Sequence, residues 1–488
     1  MKKILESEMR YLQIDLRKTS EFNRIWNFGV NTCHAKLWER KDFVSHLAKE
    51  HRDLGFQHIR CHGILNDDMG IVREDGFFCF DGPFKMLDAV LNAGYLPFIE
   101  LSSMPSRLAS GTKSICYYKF MTDPPQDWDR WFSLIREFVH ALTERYGRDS
   151  VKQWYFEVWN EPDISFWSGT QEEYFKLYDL SRKAVKSICR DYRVGGPATS
   201  KTAWIPEFCE HVSKPSADDP ENRIRCDFIS THAYPSDASF LDGADGTVLL
   251  ENASIMRTLF AKARNTIDSL LSPEIPLICG EWNSSAGPLA FNHDECGNGP
   301  FICKVMAELS GICEGSMYWN ATDIYEECGF HYQPFHGGYG LLTVNGLYKA
   351  AGHAFRFLNR LAGKQIFSSF DQQSEEFGSL AALDGKTLRI LVWNYHSPNT
   401  EERQLVFDIA GLPEYNSMQI EKVLPCRGSA YERWLNLGSP EFVEPAMLNE
   451  LAEASEIEPE NNPDFPVHLP GGTMAMLTFS LKNFPCPA

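Results

Sequence analysis

Up to about residue 360 the chain alternates short apolar runs with longer stretches whose apolar residues recur at helical spacing. The runs are Phe28–Thr32, Gln57–His62 (QHIRCH), Tyr95–Leu101 (YLPFIEL), Gln153–Asn160 (QWYFEVWN), Arg193–Ala198 (RVGGPA), Cys226–His232 (CDFISTH), Pro276–Glu281 (PLICGE) and Gly315–Asn320 (GSMYWN). Trp128–Tyr146 and Gln171–Ile188 are the clearest amphipathic helices between them. Eight strand–helix units predict a closed parallel (β/α)8 barrel of class α/β over residues 21–360. Beyond it the pattern changes to strand-like stretches separated by turns: Leu388–Tyr395, Gln404–Ile409 and Thr473–Leu481. These predict an antiparallel β-sandwich over 361–488, with residues 1–20 as an N-terminal segment able to add a strand to it, and the acidic stretch Glu441–Asp464 as a solvated loop.

A length of 488 residues suits a barrel plus a smaller module. Hydrophobic residues make up 43 %, enough for a large core, and aromatics reach 13 % with 12 Trp, which suits stacking on sugar faces as well as packing. The net charge of −19 argues against a nucleic-acid partner. Of the 14 cysteines, Cys61, Cys226 and Cys279 fall inside apolar runs, where a thiol acts as a small hydrophobe, and free thiols fit a reducing, cytosolic compartment. No run has the length of a membrane span, and MKKILESEMRYLQIDL lacks the apolar stretch of a secretory signal.

In such barrels the reacting groups sit where strands end. The strand ends offer His62, Asn160 with Glu161, His232 with Tyr234, Glu281, and Trp319. Cleaving a glycosidic bond requires an acid for the leaving oxygen and a second carboxylate across the sugar. Glu161 ends the fourth run and Glu281 the seventh, 120 residues later, as expected for three βα units. We therefore expect Glu161 as proton donor and Glu281 as nucleophile, with His232 and Tyr234 orienting Glu281 and Asn160 reaching the sugar 2-OH. A lone glutamate after a strand is usually an ordinary surface carboxylate; the conjunction of Trp159–Pro162, His232-x-Tyr234 and Gly280–Asn283 at three strand ends tips the balance. His62 suits packing and sugar binding equally, and Trp319 suits a stacking floor or a structural ring. The His331 and His336 pair lacks a third metal ligand at suitable spacing, so neither a metal nor another cofactor is expected.

Seven segments together resemble glycoside hydrolase family 39: FEVWNEPD (Phe156–Asp163), IRCHGILNDDM (Ile59–Met69), FIELSSMPSRLASG (Phe98–Gly111), DFISTHAYP (Asp227–Pro235), ICGEWNSS (Ile278–Ser285), YWNATDIYEE (Tyr318–Glu327) and FHGGYGLLT (Phe335–Thr343). The resemblance implies a retaining mechanism with Glu161 as acid/base and Glu281 as nucleophile. It also implies sugar contacts from His62, Asn160, His232, Tyr234, Trp319 and Glu326, a homo-oligomer, and activity nearest the bacterial β-xylosidases. The chain departs from the xylosidase pattern at Cys61, at Asn320–Thr322 and at Ser114–Met121, which leaves the glutamates in place and the sugar open. An exo-acting β-xylosidase is the leading expectation. The alternatives are the same chemistry on an L-arabinoside, a uronide or a bacterial polysaccharide, and a binding protein without catalysis.

Overall fold

The computed structural model describes residues 9–215, 224–236, 253–396 and 403–482. Eight parallel strands close into a barrel: Gly29–His34, His58–His62, Leu96–Leu101, Tyr155–Val158, Arg193–Thr199, Phe228–His232, Leu277–Trp282 and Gly315–Tyr318. The ring is sealed where Met317 and Tyr318 of the eighth strand pair with Gly29 and Val30 of the first. Helices cover its outside. Trp128–Tyr146 turns Trp131, Leu134, Ile135, Phe138, Val139 and Leu142 inward at helical spacing, and Asp127 caps it by accepting from the Asp129 and Arg130 amides. Gln171–Ile188 starts with a capping box between Thr170 and Glu173.

Alternation along each strand sorts the barrel interior into layers. Phe98, Phe228, Ile278 and Met317, with Phe28 and Tyr155 against them, form an apolar plug at the base. Two residues further along the second, third and fourth strands come Arg60, Glu100 and Glu157, all buried. Two further still, the second strand presents His62 and the sixth His232. Outward residues such as Ile59, Cys61 and Cys279 join the large cluster beneath the helices.

The second module is one sheet folded over its own core, ten strands with Met9–Ser20 between Lys364–Phe370 and Leu405–Ala410. The sheet is mixed rather than wholly antiparallel. Met9–Gln13 runs parallel to Val406–Ala410, because no hairpin joins these strands and nothing forces their directions to oppose. The apolar runs that looked continuous in sequence are central strands covered on both faces. Leu388, Ile390 and Val392 face the sheet's own core, whereas Leu391 and Trp393 face the barrel helices. Met474 and Met476 do the same on Thr473–Leu481, with Met474 Sδ 3.6 Å from the Cys303 thiol.

The acidic stretch expected as a loop instead carries the helix Pro445–Ser455. Pro445 opens it at the first helical turn, and Leu451 and Ala454 bury against Phe335, Tyr431 and Trp434. The Ser455 carbonyl accepts from His353 Nε2 at 2.7 Å, which pins this helix to the barrel. Among the described residues no helix is long and apolar enough to cross a membrane.

Candidate active site

Glu161 and Glu281 face each other at the C-terminal mouth of the barrel. Each reaches it by a local departure from regular strand geometry. After the fourth strand Trp159 and Glu161 adopt φ of 71° and 41°, left-handed values that cost non-glycine residues energy and are tolerated where the surroundings fix them. The Glu161 amide donates to the Ala198 carbonyl at 2.8 Å, and Asp163 accepts from the Ser200 amide at 2.8 Å and hydroxyl at 2.6 Å, which locks the turn onto the next strand. In the seventh strand Cys279 points outward, so strict alternation would turn Glu281 outward as well. A register shift between Cys279 and Glu281 reverses this, and Glu281 points in. Gly280 suits the bulge because a Cβ there would meet the His232 ring at 3.3 Å.

An oxygen of Glu161, a ring nitrogen of His232 and an oxygen of Glu281 all lie within 4.8 Å of one another. Tyr234 donates to Glu281 Oε1 at 2.6 Å, and Arg60 Nη1 lies 3.4 Å from its Oε2. The sequence reading put both His232 and Tyr234 on Glu281. His232 instead attends Glu161, with Nδ1 2.9 Å from Glu161 Oε1 and 3.8 Å from Glu281 Oε2. Burial draws the His232 ring below its ordinary value and keeps it neutral, while burial and the adjacent Glu281 push the Tyr234 phenol well up, so it stays a donor. The two carboxyls thus meet unequal company. Glu281 faces a guanidinium and a phenol, Glu161 a neutral imidazole.

Arg60 anchors the layer below and has no counterpart in the sequence reading. It is fully buried and reaches Glu157 (2.6 Å), Glu100 (2.8 Å), Asn160 Oδ1 (2.8 Å) and Asn31 Oδ1 (3.2 Å). Burial works against its charge, but the three surrounding carboxylates outweigh this and raise it above the ordinary arginine range. His62 Nδ1 lies 2.7 Å from Glu100; burial pulls His62 down, yet the Glu100 charge prevails and holds it above its usual value. Its ring packs at 4.8 Å from buried Trp319. Asn160 is in the mouth with its oxygen engaged by Arg60, so its NH2 end is the one left for a ligand.

Glu326 sits at the edge of this set, its carboxylate bound to His34 Nδ1, with Asp68 3.3 Å from the other ring nitrogen. Its neighbour Glu327, which the sequence reading passed over, lies close enough to His62 and Glu281 to feel both charges. Burial raises Glu327 to about 7. Period-two alternation from His62, and from Phe98 and Tyr155, was the signal that would have found Arg60, Glu100 and Glu157.

Glu161, His232 and Glu281 are the one set among the described residues with metal-ligand proximity. Their surroundings suit carboxylates better than a cation, because Glu281 already faces the Arg60 charge and the Tyr234 hydrogen. His331 and His336 stack at 4.8 Å, without a third ligand grouped with them among the described residues.

The profile of Glycosyl hydrolases family 39 matches residues 11–469. The chain belongs to glycosyl hydrolase family 39. A β-xylosidase of Caldicellulosiruptor saccharolyticus is 35 % identical, with 91 % of this chain and 91 % of that one covered. A β-xylosidase of Geobacillus stearothermophilus is 33 % identical, over 89 % of this chain and 87 % of its own. The crystal structure of the family 39 enzyme from Xanthomonas axonopodis pv. citri superposes with a TM-score of 0.87 at 28 % identity, covering 98 % of each chain. The family 39 chain described here is a glycoside hydrolase.

Proposed function

We propose that the protein is a retaining, exo-acting β-xylosidase that releases xylose from xylo-oligosaccharides by double displacement. The observation that carries this is the approach of Glu161 and Glu281 oxygens to within 4.8 Å. A retaining pair stands about 5–5.5 Å apart, whereas an inverting pair needs roughly 6.5–9.5 Å to admit a water between carboxylate and sugar. The substrate class rests on the two β-xylosidase relatives. A neutral sugar is further supported by Arg60, whose charge is committed to protein carboxylates and is not available to grip a uronate.

In this reading Glu161 gives its proton to the glycosidic oxygen while Glu281 attacks the anomeric carbon. The C–O bond to the leaving group breaks and a glycosyl ester on Glu281 forms. Glu161, now a carboxylate, takes a proton from water, whose oxygen displaces Glu281 and restores the original anomeric configuration. Tyr234 and Arg60 hold Glu281 aimed, while Glu161 has the neutral His232 beside it; an acid and a nucleophile in one site require such unequal surroundings. Trp319 and His62 form the wall against which the sugar lies. A cytosolic, homo-oligomeric enzyme completes the proposal: the described cysteines, all free, support the compartment, and the assembly rests on the family resemblance alone.

The test is azide rescue on an aryl β-D-xyloside. Glu281→Ala is expected to lose more than about a thousandfold in kcat and to regain turnover with azide, yielding the α-xylosyl azide. Glu161→Ala should yield the β-xylosyl azide. Wild-type enzyme releasing α-xylose as first product, or either variant working at wild-type rate, sinks the assignment.

A further inference from the structure

Two segments that the chemistry above does not use wall one side of the mouth. The hairpin Ser114–Ile115 with Phe120–Met121 turns through Cys116–Lys119, whose end residues adopt φ of 60° and 59°. Alternation sorts its side chains. Tyr118 stacks on His34 at 4.3 Å, and Phe120 packs edge-on against Trp159 at 5.5 Å and lies 6.4 Å from the His62 ring. These two rings anchor the hairpin inward, so Tyr117, one residue before Tyr118, faces outward and is 64 % exposed.

The second segment follows the eighth strand. The Tyr117 amide donates to the Glu327 carbonyl at 2.8 Å, which sets the hairpin tip beside it. The Tyr117 ring stands edge-to-face with Phe330 at 6.2 Å and 76°, and the Arg40 guanidinium lies 5.4 Å from the Phe330 centroid. Phe330 is half-buried against the core and Tyr117 stands exposed over it, and an aromatic ring held in water beside another marks a surface that receives something. What it receives follows from its position. Tyr117 is one backbone hydrogen bond from Glu327, and the Glu327 carboxyl is within reach of the charges of His62 and Glu281. The hairpin thus runs from Phe120 beside His62 outward to Tyr117, which stands with Phe330 at the rim of the mouth.

We propose that Tyr117 and Phe330 form the shelf on which the pyranose of the leaving group stacks. A β-xylopyranose ring carries its hydroxyls at the equator and C–H bonds on both faces, so a ring face packs on an aromatic ring while the hydroxyls stay in water. The exposed phenol of Tyr117 adds a hydrogen-bonding edge. This rests on the β-xylosidase reading.

The test compares β-1,4-xylobiose with β-D-xylosyl fluoride, whose leaving group has no ring to stack. In Tyr117→Ala and Phe330→Ala, kcat/KM for xylobiose is expected to fall roughly five- to tenfold, mainly through KM, while the fluoride stays within about twofold and Tyr117→Trp keeps the xylobiose affinity. An unchanged xylobiose KM in both alanine variants overturns the shelf, as does an equal fall for both substrates, which would mean that the rings merely shape the mouth. A change in native mass by size-exclusion chromatography with the xylobiose KM intact also overturns it, since the rings would then serve a second copy of the chain. If the wild-type chain cleaves neither compound, the underlying β-xylosidase reading fails and the shelf falls with it.

Discussion

Arg60 shows how much of a site's chemistry lies one layer below the residues that touch substrate. Its guanidinium ties Glu100, Glu157, Asn160 and Glu281 into one network, so the position of Glu281, the proposed nucleophile, depends on residues in the layer beneath it. Tyr234 is the other fixed point on Glu281, and it is the simpler one to remove. Tyr234→Phe keeps the ring and deletes the donor that stands 2.6 Å from Oε1. We expect kcat to fall by about tenfold to a hundredfold with Tm shifted by only a few degrees; an unaltered kcat would show that Arg60 alone orients Glu281. The strand-end rule put Glu161, Glu281, His62, His232, Tyr234 and Trp319 among the candidates, because residues at or just past the C-terminal ends of barrel strands line the mouth. It did not reach Arg60, Glu100 or Glu157, which need alternation to be counted backwards from the rim. Nor did it assign His232 to the right glutamate, since that depends on the bulge at Gly280 and no pattern of residue types announces one.

The loop Gly337–Gly340 illustrates how an element without regular structure is held. Lys349 is fully buried and ion-paired with Asp294 at 2.5 Å and Asp323 at 2.7 Å. Those carboxylates accept from the Gly337 and Gly340 amides at 2.6 and 2.8 Å, and Lys349 donates to the Gly338 carbonyl at 2.9 Å. One cation thereby fixes the backbone on both sides of Tyr339, whose carbonyl receives Asn283 and whose ring lies 6.1 Å from Trp319. Burial disfavours the Lys349 charge, but the two aspartates keep it raised. Lys349→Met would strand two carboxylates in the interior, and we expect about 3–5 kcal/mol lost from unfolding stability, measured in urea, with part of it restored by adding Asp294→Asn and Asp323→Asn. A single variant as stable as wild type would mean that water reaches the triad. Among whole elements, the helix at Pro445–Ser455 was hidden by its acidic neighbours, although Leu448, Leu451 and Ala454 carry helical spacing. The charges sit on its exposed face and dominated the composition of the window.

For the molecule as a whole, histidines that the fold keeps neutral weaken stability in acid. Burial lowers His58 and His293 to about 4 and His353 to about 3. The unfolded chain takes up these protons near pH 6.5 and the folded one does not, so stability is complete above that value and drains away as the pH falls towards 4. Each histidine contributes up to about 1.4 kcal/mol per pH unit in that window. Tm should therefore drop steadily between pH 6.5 and 4.5, and a flat profile would contradict the buried neutral state. The barrel was legible at this scale because strand and helix periods alternate along the chain; the partner strands of the second sheet were not, because pairing across hundreds of residues leaves no local trace. Met9–Ser20 is the sharpest instance, lying between Lys364–Phe370 and Leu405–Ala410. During synthesis this first strand leaves the ribosome with Leu12, Ile14 and Leu16 uncovered, and neither neighbour exists until the entire barrel has followed, a wait on the order of tens of seconds. Until then it is an unpaired edge open to other chains, so this strand is where a chaperone has most to protect.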